Sequence, residues 1–216
     1  MPGWSSIPAP RRPSKPLPIA GAAKGCLLNA QFDNDTIFQG AHQFSDTVGR
    51  VSRLCLALQM IPVFAPPREH GFQNAIEGFN ALWQSKVWQR HHCPDLASLV
   101  AVSGRYITAY RVKTAARREA APNRSRFPKG FKLNLNTPLK GTMIYLRRSD
   151  EQGNVPLLAH TFPVAEHWVH RLVRCEVDFT HQRIRFYAMR RRDPHHQPLL
   201  REVPYLRPNK PFQGKP

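Results

Sequence analysis

The stretch HRLVRCEVDFTHQRIRFYAMRRR (residues 170–192) contains two β-patterned runs joined by a short polar segment. Charged residues recur at every second position over 174–178, and apolar residues recur at every second position over 184–188. A period of two is typical of a strand with one face on the core. The segment THQ (180–182) between the runs therefore predicts a β-hairpin.

Further β-patterned runs flank this hairpin on both sides. GTMIYLRR (141–148) is followed by the polar turn SDEQGN and then by VPLLAHTFPV (155–164). LLREVPY (199–205) adds a short run after the hairpin. Short strands separated by tight turns are typical of a small barrel. We therefore predict a small all-β barrel over residues 139–207.

Positive charge is concentrated in the same part of the chain. The whole protein has 32 Lys+Arg against 14 Asp+Glu, a net charge of +18. Residues 124–216 have 18 Lys+Arg and seven Asp+Glu, a net charge of +11. Such a surplus attracts polyanions, and nucleic acid is the commonest one. The alternative is a solvated strand surface over core aromatics. The side chains predicted to contact DNA phosphates are Arg147, Arg148, Arg171, Arg174, Arg190, Arg191 and Arg192.

Upstream, residues 25–120 show an α/β pattern. A short apolar strand over 26–32 ends before Asp33, and SDTVGRVSRLCLALQM (45–60) has helical spacing with Ser45 or Asp46 able to cap it. A strand in MIPVFAPP (60–67) follows, which predicts a βαβ unit with parallel strands. Two further helices are predicted, over 72–90 and about 95–119.

The order of these elements, with FDND (32–35) after a strand and NAIEGFN (74–80) on a helix, resembles the catalytic core of DDE integrases and transposases. That resemblance implies a partial RNase H-like core of short parallel strands and helices. It makes Asp33 and Glu77 the second and third catalytic carboxylates, holding Mg²⁺ or Mn²⁺ for phosphodiester strand transfer. The segment after the core resembles the small SH3-like barrel that follows it in many transposases.

Two details within the resemblance leave alternatives open. Asp35 stands where the family usually has Gly, so its carboxylate either tunes the metal or faces water. Between Asp33 and Glu69 lie 35 residues, a spacing often quoted for the family, but Glu69 falls in a Pro/Gly-rich loop. Glu77 is preferred as the metal ligand because a helix fixes its position. Gly78 inside the same helix suggests close packing or the approach of a ligand.

The first carboxylate of the family has no counterpart, since residues 1–32 contain no Asp or Glu. We therefore expect a truncated, DNA-binding transposase relative that is inactive alone. The expected organisation is a disordered Pro-rich leader (1–24), the core (25–120), a basic linker (121–138), the barrel (139–207) and a disordered tail (208–216). Two alternatives remain open. One is an enzyme that takes the missing carboxylate from a partner chain. The other is a non-enzymatic basic nucleic-acid-binding or regulatory protein, such as a transposition inhibitor that titrates transposon ends or joins full-length transposase subunits. The expected partners are DNA and either a second copy of this chain or full-length transposase subunits.

Other features restrict the class of protein. The four cysteines include no Cys-x-x-Cys pair, so neither a zinc ribbon nor a disulfide framework is indicated, and a reducing compartment is expected. No run of about 18 apolar residues predicts a membrane span. We expect a cytoplasmic protein associated with the bacterial nucleoid.

Overall fold

The computed structural model describes residues 26–41, 44–69, 71–121 and 124–208. The predicted leader and all but the first residue of the predicted tail lie outside this part. The upstream elements in chain order are β1 (Asn29–Phe32), α1 (Thr36–Gln39), α2 (Arg50–Ala57), β2 (Ile61–Phe64), α3 (Asn74–Trp83), a π-helical turn (Gln84–Trp88), α4 (Leu96–Lys113) and α5 (Ala115–Glu119). The downstream elements are β3 (Thr142–Arg148), β4 (Asn154–Leu157), β5 (His160–Pro163), β6 (Leu172–Asp178), β7 (Arg183–Ala188) and β8 (Leu199–Pro204).

Six of the strands form one mixed sheet in the order β1-β2-β3-β6-β7-β8. The pairs β1/β2 and β2/β3 are parallel, and the other pairs in the sheet are antiparallel. Strands β4 and β5 form a separate two-stranded hairpin. The fold is therefore mixed α/β, and the parallel pairing predicted for β1 and β2 is confirmed.

The sheet continues across the predicted boundary at 121–138. Val63 of β2 pairs with Ile144 of β3, and Phe64 pairs with Tyr145. Strand β2 therefore has β1 on one side and β3 on the other. The barrel predicted over 139–207 is not a separate closed sheet in the described residues, because β3 pairs with β2. Its strand β3 lies in the middle of an open sheet, and no ladder among the described strands closes that sheet on itself.

Two local predictions differ from the structure. The run 155–164 is not one strand, because Leu158 and Ala159 turn the chain with φ of 53° and 60°. Positive φ at both central positions is the geometry of a tight hairpin turn, usually marked by Asn or Gly. Helix α2 begins after Gly49, so neither Ser45 nor Asp46 caps it. Strands β6, β7 and β8 and the helices α3 and α4 fall within the predicted runs.

The core lies on one face of the sheet. Alternate residues of the hairpin, Val173, Cys175 and Val177 on β6 and Ile184 and Phe186 on β7, are fully buried. Across the predicted boundary, the rings of Phe64 and Tyr145 stack with centroids 4.8 Å apart. Upstream and downstream segments therefore share one core.

Helices α3 to α5 form an arm that buries little. No residue of α3 or α4 is buried, whereas Val87 in the π-helical turn is buried. The two helices are joined by an edge-on contact of Phe79 with Tyr110 and by a hydrogen bond from Trp83 Nε1 to Ser103 Oγ (3.2 Å). In the described part of the chain, no helix is both long and apolar enough to cross a membrane.

Candidate nucleic-acid interface

Five of the seven predicted DNA-contacting arginines meet at one edge of the sheet. Since β6 is antiparallel to both β3 and β7, the start of β6 lies beside the ends of β3 and β7. Arg148 ends β3, Arg171 precedes β6, and three consecutive arginines follow β7. Together they line a groove of about 940 Å³, hereafter the basic groove. Its lining residues are Glu69, Phe72, Arg148, Trp168, His170, Arg171, Leu172, Met189, Arg190, Arg191, Arg192 and Pro194.

Glu69 is the acidic residue in this groove, and it pairs with Arg148. Glu69 Oε1 lies 2.7 Å from Arg148 Nε and 2.6 Å from Arg148 Nη2. Arg148 also donates to the carbonyl of His170. The sequence predicts that Glu69 is a solvated loop residue. Nothing in its local pattern indicates a partner 79 residues away. The pair neutralises one of the five arginines in the groove.

The other groove arginines are exposed to solvent. The Arg171 guanidinium lies 4.8 Å from the centre of the Trp168 ring, and Arg190 Nη1 lies 3.2 Å from His196 Nδ1. Arg190, Arg191 and Arg192 are all exposed. Arginine keeps its charge at every physiological pH. Four cations therefore face the groove without a carboxylate partner in the described residues.

Trp168 is not placed to stack on a base. Its side chain is 7% exposed, its Nε1 donates to the carbonyl of Leu172 (3.1 Å), and Arg171 covers its ring. Tyr145 is also buried, at 1% exposure. Phe72 is the half-buried ring on the groove wall. The groove is therefore richer in phosphate-binding groups than in stacking surfaces.

Arg147 and Arg174 do not belong to the groove. Arg147 is 8% exposed, because neighbouring residues of a strand point to opposite faces and Arg148 takes the groove side. Arg174 lies on the outer face of β6, 3.1 Å from Glu176 and 4.5 Å from the ring of Tyr187. Both arginines contact protein groups and lie outside the groove.

The outer face around Arg174 is a network of ion pairs. Arg185 lies 3.2 Å from Glu176, and Arg183 lies 3.3 Å from Glu202. Asp178 belongs to the same network. Its burial raises its pKa, but hydrogen bonds from His181 and Thr180 outweigh burial and the pKa is lowered. The carboxylates neutralise most of the arginines on this face, which separates it from the basic groove.

The two predicted metal ligands, Asp33 and Glu77, lie near the loop that precedes α3. Asp33 is exposed at the end of β1 and lines a second pocket of about 430 Å³ with Phe72, Ala75 and Ile76. Glu77, one residue further along α3, is exposed and does not line that pocket. Phe72 borders both this pocket and the basic groove, so the two are adjacent.

The donor set for a metal ion is incomplete. The carboxylate of Asp35 caps α1, accepting a hydrogen bond from the Ile37 N–H (2.8 Å), which accounts for its place after Asp33. In the described residues there is no group of three or more His, Cys, Asp or Glu side chains that could hold a metal ion. Asp33 and Glu77 alone are therefore an incomplete donor set for the pair of Mg²⁺ or Mn²⁺ ions that the resemblance implies.

Comparison with protein-family models, with curated proteins and with solved structures found no match for this chain. Of the predicted site residues, the structure brings together Arg148, Arg171, Arg190, Arg191 and Arg192. Glu69, Phe72 and His170 are among the groove members that the sequence did not indicate.

Proposed function

We propose that this protein binds DNA through phosphate contacts in the basic groove. The observation that carries the proposal is the convergence of five arginines from three strand ends on one concave surface. Guanidinium groups bind phosphate oxygens with paired hydrogen bonds, and a groove holds several successive phosphates of one backbone. The net charge of +18 adds long-range attraction to the same ligand.

The binding is of the sequence-independent kind. Phosphate contacts fix position and carry no base information, and the groove offers one half-buried ring, Phe72, for a base. Each neutralised phosphate releases counterions, so log K falls with log salt concentration by about 0.9 per contact on duplex DNA. Four unpaired arginines correspond to a slope of about −3.6.

The chain order also supports a relation to DDE integrases and transposases. A strand ends at Asp33, β2 is parallel to it, and Glu77 lies on the following helix. The RNase H-like assignment, the Mg²⁺ or Mn²⁺ site and the association with transposase subunits stay predictions of this resemblance. In that setting the protein acts as a DNA-binding, non-catalytic component.

A second candidate function, implied by the resemblance, is metal-dependent strand cleavage with the missing carboxylate supplied by a partner chain. The adjacency of the Asp33 pocket to the groove through Phe72 favours it. A supercoiled plasmid incubated with the full chain and Mg²⁺ tests this function. Nicking that disappears in Asp33→Asn supports cleavage. No nicking, with binding retained, supports the non-catalytic function.

Binding is tested by fluorescence anisotropy with a labelled 20-base-pair duplex. The double variant Arg191→Gln/Arg192→Gln is expected to weaken binding about tenfold, since each lost charged contact costs a few-fold in affinity. The matched control is Arg105→Gln/Arg111→Gln, which removes two charges from the exposed face of α4. Equal losses in both variants would show that binding depends on net charge alone and not on the groove.

A further inference from the structure

Arg147, which the groove excludes, lines a separate pocket on the core side of the sheet. The pocket has a volume of about 330 Å³ and lies between the start of the chain's α/β segment and the β4/β5 hairpin. Most of its wall is apolar, with a few polar groups. The lining residues are Asn34, Gln39, Gly40, Ala41, Phe44, Thr47, Pro67, Tyr145, Arg147, Pro156, Leu157, Leu158 and Ala159. Small-molecule sites have this size and composition.

The Arg147 guanidinium is buried with neutral partners. Nη1 donates to the carbonyls of Leu146 (2.9 Å) and Ala65 (3.4 Å), and Nη2 donates to Gln39 Oε1 (3.4 Å). No carboxylate of the described residues forms an ion pair with it. These bonds use both N–H groups of Nη1 and one of Nη2, and all three acceptors are neutral oxygens.

Beside this cation, Tyr145 has a buried hydroxyl without a hydrogen-bond partner in the described residues. The Tyr145 side chain is 1% exposed. The Arg147 guanidinium lies 5.0 Å from the centre of the Tyr145 ring, and Phe64 stacks on that ring at 4.8 Å. A buried hydroxyl without a protein partner is uncommon in native proteins, so this hydroxyl can serve as a partner for a polar ligand atom.

A buried cation without an anion is costly, because the charge has lost its hydration and gained no counter-charge. Burial lowers the pKa of Arg147, because the charged guanidinium loses its hydration. An anionic ligand would remove this cost. A carboxylate fits a single guanidinium through two parallel hydrogen bonds, and its organic part fits apolar walls such as Phe44 and Leu158.

We propose that this pocket binds a small organic carboxylate whose acid group pairs with Arg147 and whose apolar part contacts the wall formed by Phe44, Pro67 and the β4/β5 hairpin. The site is independent of DNA binding. Arg147 and Arg148 are neighbours on β3 and face opposite sides of the sheet, so the ligand and the DNA do not compete for the same arginine.

The test is titration calorimetry of the full chain with sodium benzoate, with benzamide as the neutral probe of the same shape. Benzoate is expected to bind saturably at one site per chain, and benzamide at least tenfold more weakly. Arg147→Met removes the charge and is expected to abolish benzoate binding. Ala41→Trp keeps Arg147 but fills the pocket, so it is expected to abolish binding as well, and far-UV circular dichroism establishes that each variant is folded.

Three results would overturn the proposal. Benzoate and benzamide could bind equally or not at all, which would remove the role of the charge. Benzoate binding that survives in folded Ala41→Trp would place the ligand elsewhere. Saturable binding of inorganic phosphate without binding of benzoate would assign the pocket to a different class of anion.

Discussion

Glu69 shows how one side chain can control the basic groove. It holds Arg148 through two contacts under 3 Å, so a DNA phosphate must displace it to use that arginine. We predict that Glu69→Gln tightens DNA binding about three-fold and makes the salt slope steeper, because a fifth arginine becomes available. Glu151→Gln, in an exposed turn, is the control for the loss of one negative charge. An unchanged affinity in Glu69→Gln would mean that Arg148 does not contact DNA.

The four cysteines differ in reactivity because they differ in burial. All are free thiols, and Cys26, Cys55 and Cys175 are buried while Cys93 is partly exposed. Burial raises the pKa of Cys55 to about 11 and that of Cys175 to about 12, so both stay protonated and unreactive at pH 8. A thiol reagent such as DTNB should therefore modify one cysteine of the native protein rapidly and the rest after unfolding. If Cys93→Ser abolishes the rapid modification, Cys93 is the reactive thiol. Rapid modification of two or more cysteines would contradict this pattern of burial.

At the level of helices and turns, two glycines are expected to behave in opposite ways. A Cβ at Gly78 in α3 would meet no atom within 4 Å, so the close packing expected there is not observed. Gly78→Ala should stabilise the helix by about 1 kcal/mol. Gly153 has φ of 76°, and a Cβ there would lie 2.0 Å from the Ala165 carbonyl oxygen. Gly153→Ala should lower the melting temperature. Gly78→Ala, in contrast, should raise the melting temperature or leave it unchanged. A lower melting temperature in Gly78→Ala would indicate a contact of α3 that this packing lacks.

The elements that were predictable are those whose signal is local. Alternation over 174–178 and 184–188 predicts β6 and β7, and helical spacing predicts α3 and α4. The turn at Leu158–Ala159 was missed because neither residue is a usual residue for positive φ. The start of α2 was misplaced because Asp46 is a good cap by type, whereas its carboxylate binds Tyr205 and His160 from distant strands. Such tertiary contacts leave no local trace in the sequence.

On the scale of the whole molecule, the pairing of β2 with β3 joins the upstream and downstream segments in one sheet, so we predict that they unfold as one cooperative unit. Phe64 is fully buried and stacks on Tyr145 across that pairing. We predict that Phe64→Ala destabilises the protein by about 3–5 kcal/mol. Urea unfolding followed by tryptophan fluorescence and by circular dichroism should give one transition that shifts as a whole. Two separate transitions would show that residues 139–207 fold independently of β1 and β2.

The candidate site was predictable in its charge and not in its arrangement. Arginines at the ends of β3 and β7 were identified because the strand ends could be located. Arg147 and Arg148 point to opposite faces of β3, and only the structure shows which face is buried and which faces the groove. The Glu69 contact and the adjacency of the groove to Asp33 depend on a loop whose path has no pattern in the sequence.

The most direct test of DNA binding in the basic groove is its salt dependence. The dissociation constant of a labelled duplex is measured between 50 and 300 mM NaCl for the wild type, for Arg191→Gln/Arg192→Gln and for Arg105→Gln/Arg111→Gln. We predict a slope of log K against log salt concentration of about −3.6 for the wild type, a decrease of about 2 in its magnitude for the groove variant, and no change for the control. An unchanged slope in the groove variant, or equal changes in both variants, would contradict the assignment of the groove as the DNA-binding site.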